Sequence, residues 1–193
     1  MSFHDHLERR QALLRGLDAA ALQARLERAV LMLVAAARAR LPILVCGNGG
    51  SAADAQHIVA ELVGQFSAPR VALDVRALAA DPALLTALAN DFGYAEVFTR
   101  QVEAYGRPGG LLLALSTSGQ SVSVLRAAEA ARRCGMQVIA FTGATGGGLA
   151  DLADISLLVP ATEAALVQEG HAALYHYLCA RIDAAFSSDA TSA

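Results

Sequence analysis

The sequence predicts an α/β protein: a doubly wound, mostly parallel five-stranded sheet flanked by helices, with an extra helix ahead of the first strand. Three observations carry this. Short apolar runs alternate with helical stretches along most of the chain. The first run ends in a glycine loop that opens a helix, and a long amphipathic stretch precedes everything that reads as a strand. In this fold class ligands bind beyond the carboxyl ends of the strands.

From Leu17 to Leu41 apolar residues recur at helical spacing, at Leu22, Leu26, Val30 and Leu33, which predicts the leading helix. A helix in that place suits packing against another subunit. Strands buried on both faces read as continuous apolar runs, and such runs stand at 43–46, 71–75, 111–115, 138–141 and 155–159. Helices are predicted from Ser51, over 82–90, from Ser121, shortly after the glycine-rich turn at 142–148, and over 163–186. No linker interrupts the pattern, so residues 1–193 form one domain, with a small polar tail at 187–193 predicted to be flexible. Chemistry is expected in the loops at 47–51, 90–93, 116–121 and 142–148.

Composition removes several function classes. With 193 residues, 55% hydrophobic and 17% charged, and mean hydropathy +0.42, the chain can bury a large core and is not disordered. All 15 basic residues are arginine, so no side chain can form a Schiff base or serve as a P-loop lysine. The net charge is −3 and the arginines are scattered, which excludes a nucleic-acid backbone as a direct ligand. The amino-terminal segment is polar, and no apolar run approaches the ~20 residues that span a bilayer. A cytoplasmic protein without a membrane partner is expected. Cys46, Cys134 and Cys179 are odd in number, far apart and in apolar surroundings, as befits buried free thiols in a reducing compartment.

Two loops ask for a polar ligand. Gly47-Asn48-Gly49-Gly50-Ser51-Ala52 follows a strand and opens a helix, so backbone amides there can face a ligand at close range. It fits the dinucleotide pattern, with Asp74 near the next strand as the ribose acid. Ser116-Thr117-Ser118-Gly119-Gln120-Ser121 presents four hydroxyls before another helix, a phosphate cradle that needs no lysine. Helix capping by Ser121 accounts for one hydroxyl and leaves the others without a purpose. Together the loops favour a small phosphorylated polyol over a dinucleotide.

On the helix from Ser51, His57 and Glu61 are four apart and share a face, a spacing that serves metal ligation, acid/base chemistry or an ordinary surface pair. The last helix sets Gln168, His171 and His176 in an apolar segment. Relative to Gln168, His171 lies about 60° and His176 about 80° around the helix, on opposite sides, so geometry leaves both open.

These pieces resemble, in order and over nearly the whole chain, the sugar isomerase domain family. The match runs through CGNGGSAADAQHIVAEL at 46–62, ANDFGY at 89–94, RQVEAYGRPGG at 100–110, STSGQSVSVLRAAEAAR at 116–132, FTG with its glycines at 141–148, and VQEGHAALYHYLC at 167–179. The resemblance implies an aldose-ketose isomerase converting sedoheptulose 7-phosphate to D-glycero-D-manno-heptose 7-phosphate, for nucleotide-activated heptose of lipopolysaccharide or another surface glycan. It implies substrate contacts at Asn48, Gly49, Gly50, Ser51, Glu61, Asn90, Asp91, Ser116, Thr117, Ser118, Ser121 and Gln168. It implies one Zn²⁺ per subunit on His57, Glu61, Gln168 and His176, which selects His176 over His171. It further implies Glu61 and His176 as catalytic groups, Asp91 as an orienting group, and a homotetramer with active sites between subunits.

Two positions depart from the family pattern. Gln65 and Leu166 stand where arginines are usual, and the 66–81 stretch is atypical, which leaves the exact sugar phosphate open. Two other function classes are in play. One is a non-catalytic relative that binds sugar phosphates and associates with the replication initiator, which would lack the His57/Glu61 pair; the other is a dinucleotide-binding oxidoreductase.

Overall fold

The structure, a computed structural model, describes residues 2–190. Five strands, β1 (Ile43–Cys46), β2 (Val75–Ala77), β3 (Leu111–Ser116), β4 (Gln137–Thr142) and β5 (Ile155–Leu158), form one sheet in the order β2-β1-β3-β4-β5. Every neighbouring pair is parallel, with Ile43 opposite both Val75 and Leu111. The expectation of a mostly parallel sheet is thus sharpened to a wholly parallel one. Alternate residues feed two cores. Ile43, Val45, Leu113 and Phe141 face α1 (Phe3–Gly16), α2 (Ala20–Arg38), α3 (Gly50–Val63) and α8 (Ala164–Ala190). Leu44, Cys46, Leu112 and Ala140 face α4 (Pro82–Phe92), α5 (Thr99–Tyr105), α6 (Val122–Arg133) and α7 (Gly147–Leu152).

Four expectations are corrected. The single leading helix is two, because a capping box between Ser2 and Asp5 starts α1 inside the polar amino-terminal segment. Only Leu13 of α1 is buried, so no apolar stripe announces it. Ion pairs of Arg9 with Glu163, the residue before α8, and of Arg10 with Glu169 within it tie α1 down there. The second strand begins at Val75 rather than Val71, whose side chain is exposed. Helix α5 buries Thr99, Gln101 and Val102, a face with no apolar period. Its Gln101 amide donates to the carbonyls of Leu78 and Val97, both at 2.8 Å. The predicted tail is helical through residue 190, with no glycine or proline to stop α8; residues 191–193 lie outside the described residues. Among the described residues no helix is long and apolar enough to cross a membrane.

One buried ion pair fastens the segment after α3. Arg70 Nε meets Asp183 Oδ1 at 2.6 Å, with side-chain exposures of 0% and 1%. The other Asp183 oxygen accepts from the amides of Ser67 and Ala68, and Arg70 also donates to the carbonyls of Glu61 and Leu62 at the end of α3. Burial alone would raise the Asp183 carboxyl, but those amides and Arg70 outweigh it and hold the group below its usual range. Its contribution is therefore present above the unfolded-state value near pH ~4 and is lost as pH falls through the lower folded-state value. Asp183→Asn, which leaves the guanidinium buried without its counter-charge, is expected to cost about 3–5 kcal/mol at pH 7 in urea unfolding. The gap between the two proteins should narrow as pH falls below ~4.

Candidate active site

At the centre of the sheet β1 and β3 lie side by side, but α3 departs to one face and α6 to the other. That divergence opens a cleft at the carboxyl edge. It holds a polar cavity of about 140 Å³ lined by Asn48, Ser51, Leu115, Ser116, Thr117, Ser118, Ser121 and Gln168. Both predicted loops meet there.

Two glycines make the approach possible. Gly49 takes φ +56° at the start of α3, and Gly119 takes φ +65° against the turn at Gly146, whose carbonyl oxygen occupies the place of a Cβ. The Asn48 amide is held on three sides: Nδ2 donates to Ser121 Oγ at 2.7 Å and Ser123 Oγ at 3.0 Å, and the Tyr94 hydroxyl donates to Oδ1 at 2.7 Å. Ser121 stands at the N-cap of α6 but makes no side-chain capping bond, so capping does not account even for the one hydroxyl it was offered for. No basic side chain lines the cavity. An anion there would meet hydroxyl donors and the amino-terminal ends of α3 and α6.

The acidic residue of the dinucleotide reading falls at the wrong end. Asp74 precedes β2, at the amino edge of the sheet, and pairs with Arg76 at 3.1 Å.

A second cluster lies further along α3 and α8. His57 Nε2 is 3.1 Å from Glu61 Oε1 and 3.5 Å from His176 Nε2, and the Tyr175 hydroxyl is 3.1 Å from His57 Nδ1. Phe66 lies beside the His176 ring, 5.7 Å between centroids. The Tyr175 hydroxyl also reaches Asp54 Oδ1 at 3.5 Å. Burial pushes the Asp54 carboxyl up, against the lowering effect of the Tyr175 hydroxyl and the two imidazoles. Burial, with the Asp54 charge, pushes the Tyr175 phenol up to about 12, so it keeps its proton.

His171 is a core residue, fully buried with its ring edge-on to Phe141 and pushed down to about 4 by burial. Asn90 and Asp91 are exposed, bond to each other at 2.9 Å and do not line the cavity. Their segment reaches the site through Tyr94. Cys46 and Cys179 are buried thiols, each pushed up to about 12 by burial, while Cys134 is only half-buried.

Spacings of 3.1 Å between the His57 imidazole and the Glu61 carboxylate and of 3.5 Å between the His57 and His176 imidazoles suit neighbouring ligands of a four-coordinate zinc with bonds of about 2.0–2.2 Å. Yet among the described residues of one chain no three His, Cys, Asp or Glu side chains gather tightly enough to hold a metal. Gln168 lies against Gly50, two turns from His57, and Gln168 and His176 stand about 12 Å apart along α8.

Sequence reasoning missed Asp54, Tyr94, Ser123 and Tyr175. A helical spacing rule would have put Asp54 beside His57; the other three carry no local signal.

A serine cradle and an acid/base cluster on a wholly parallel doubly wound sheet define a class. A model of the SIS domain family matches residues 6–143, and the chain belongs to that family. It is 47% identical over 157 residues to the phosphoheptose isomerase of Rhodospirillum rubrum, covering 81% of this chain and 84% of that one. It is 45% identical over 187 residues to that of a Bradyrhizobium species, covering 96% and 94%. A solved phosphoheptose isomerase from Francisella tularensis superposes with a TM-score of 0.90 at 35% identity, covering 94% of this chain and 96% of that one. Within the SIS domain family the chain therefore falls with the phosphoheptose isomerases.

Gly119→Ala would drive a Cβ into the Gly146 carbonyl at a φ that side chains avoid. The 116–121 loop is expected to shift, raising KM for a sugar phosphate at least tenfold (~1.4 kcal/mol of binding). A steady-state titration checks this.

Proposed function

We propose that this protein interconverts sedoheptulose 7-phosphate and D-glycero-D-manno-heptose 7-phosphate in the cytoplasm, feeding a surface-glycan pathway. The observation that carries the reading is 45% identity to a phosphoheptose isomerase across nearly the full length of both chains. The cradle and the acid/base cluster supply the parts such a reaction needs.

The 116–121 loop takes the phosphate as a handle and fixes the sugar chain relative to Glu61 and His176. Glu61 removes a proton from C1 of the ketose while the C2 oxygen gains one, which yields an enediol. Returning the proton to C2 as the C1 hydroxyl loses its own gives the aldose. His176 moves the oxygen-bound protons. No electron leaves the sugar.

Because no three His, Cys, Asp or Glu side chains of one chain gather into a metal site among the described residues, a zinc ion on His57, Glu61, Gln168 and His176 would draw its ligands from more than one subunit, and it would supply a Lewis acid to the reaction. The separation of Gln168 from His176 on one helix supports a site shared between subunits. So does the exposure of the His57 ring, and the apolar residues Phe3, Leu7, Leu14 and Leu31 exposed on α1 and α2 suit an assembly. We extend this to a homotetramer. The intact His57, Glu61 and His176 set speaks against a binding-only relative.

Incubation with sedoheptulose 7-phosphate, followed by NMR, is expected to show the aldose, and no product would sink the reading. Light scattering at micromolar concentration should give four chains per particle, and a monomer would exclude the shared site. Glu61→Gln keeps shape and loses basicity, so kcat should fall about 10²–10⁴-fold. Metal content measured on the same sample separates loss of the base from loss of the metal, and the untreated wild type is expected to hold zinc.

A further inference from the structure

We propose that Tyr175, backed by Asp54, is a positioning residue: its hydroxyl takes the Nδ1 edge of His57 and turns the Nε2 edge toward Glu61 and His176 in one tautomer. This rests on the reading that these three side chains do the chemistry.

The ring of His57 needs such a hold. Its side chain is 44% exposed, and its ring neighbours, Tyr175 and His176, touch it edge-on at centroid distances of 5.4 and 5.0 Å. Packing of that kind leaves an imidazole free to rotate and to exchange tautomers. The hydroxyl of Tyr175, a residue only 3% exposed, is 3.1 Å from Nδ1. Which nitrogen carries the proton is set by the bond the other makes.

Asp54 decides the direction. A phenol has one proton to give. Asp54 Oδ1 lies 3.5 Å from the hydroxyl, and Oδ2 is buried with no hydrogen-bond partner. The contact runs from the phenol as donor to Oδ1 as acceptor, so the phenol proton points to Asp54 and the phenol oxygen accepts from Nδ1–H. Nε2 then presents a lone pair to Glu61 Oε1 at 3.1 Å. Two acceptors that close repel unless a proton or a cation lies between them. Tyr175 thereby makes the gap between His57 and Glu61 a place that demands positive charge.

The test uses the full-length protein with ¹⁵N-labelled histidine, freed of divalent metal by chelation so that no metal fixes the tautomer, with turnover measured on the untreated samples. In the wild type, the two His57 nitrogens are expected to resonate far apart, with Nδ1 in the protonated range. In Tyr175→Phe they should move toward the average of two tautomers. kcat should fall about 10–100-fold, as for other loss of a supporting hydrogen bond, with KM unchanged because the phosphate cavity is two turns away. Asp54→Asn keeps the phenol in place and should move the same resonances the same way, which covers a Tyr175→Phe protein that fails to fold. Unchanged His57 resonances in both variants would overturn the proposal even if turnover fell. Full turnover in Glu61→Gln would instead overturn the site reading, a result the resonance measurement does not depend on.

Discussion

Gly50 opens α3 with no side chain because the Gln168 amide fills the space a Cβ would take. That contact sets how α3 lies against α8, and most of the site hangs on it. Both helices follow parallel strands and pack on the same face, so they run in the same direction. Once Gly50 meets Gln168, each later turn of one helix meets a fixed turn of the other. Asp54 comes level with Tyr175, and His57 level with His176. Arg70 then closes the far end by pairing with Asp183 and the last carbonyls of α3. A larger residue at position 50 would part the helices first where the polar cavity lies and then along their length.

A second constraint is electrostatic. With no lysine in the chain and no arginine on the cavity wall, an anion must be held by neutral donors. Such donors work only if they are preorganised, because each hydroxyl can otherwise turn to water or to a neighbouring carbonyl. Asn48 does that work, since its amide fixes Ser121 and Ser123 while Tyr94 fixes Asn48. The cavity walls thus come from two loops and a third segment, joined through one side chain.

How much of this can be read from the sequence follows from where each signal resides. Four of the five strands are legible because a parallel sheet buries most of a short run, and such runs stand out from helical patterns; β2 is displaced from the predicted 71–75 because only its Val75 is buried. The loops are legible because glycines and hydroxyls at strand ends have few other uses. Helix α1 escapes because it buries only Leu13, and α5 because its inward face holds Thr99 and Gln101. The choice between His171 and His176 could not be made from helical angles, since it depends on which side of α8 meets the sheet. The structure sets His171 against Phe141 and turns His176 toward α3. Tyr175 escapes for the same reason, and so does the pairing of Asp54 with it: their meaning lies in the register of two helices 121 positions apart in sequence.

The two departures from the family pattern have different physical characters. Leu166 is 8% exposed and lies in the core beside α1, where an arginine would have to bury its charge or displace the helix above it. Its apolar character is matched to α1 packing, so the change is one of structure. Gln65 is exposed. The nearby Arg70 does not stand in for the missing charge, because its guanidinium is committed to Asp183 and the carbonyls that end α3. Any loss of affinity for an anionic substrate near residue 65 therefore goes uncompensated within the chain, and discrimination among sugar phosphates falls to the neutral donors of the cradle. Such sites reject analogues that leave a buried donor unpaired more strongly than they sense net charge. Selectivity in this protein should accordingly follow the position of hydroxyls on the sugar more than the number of charges it carries.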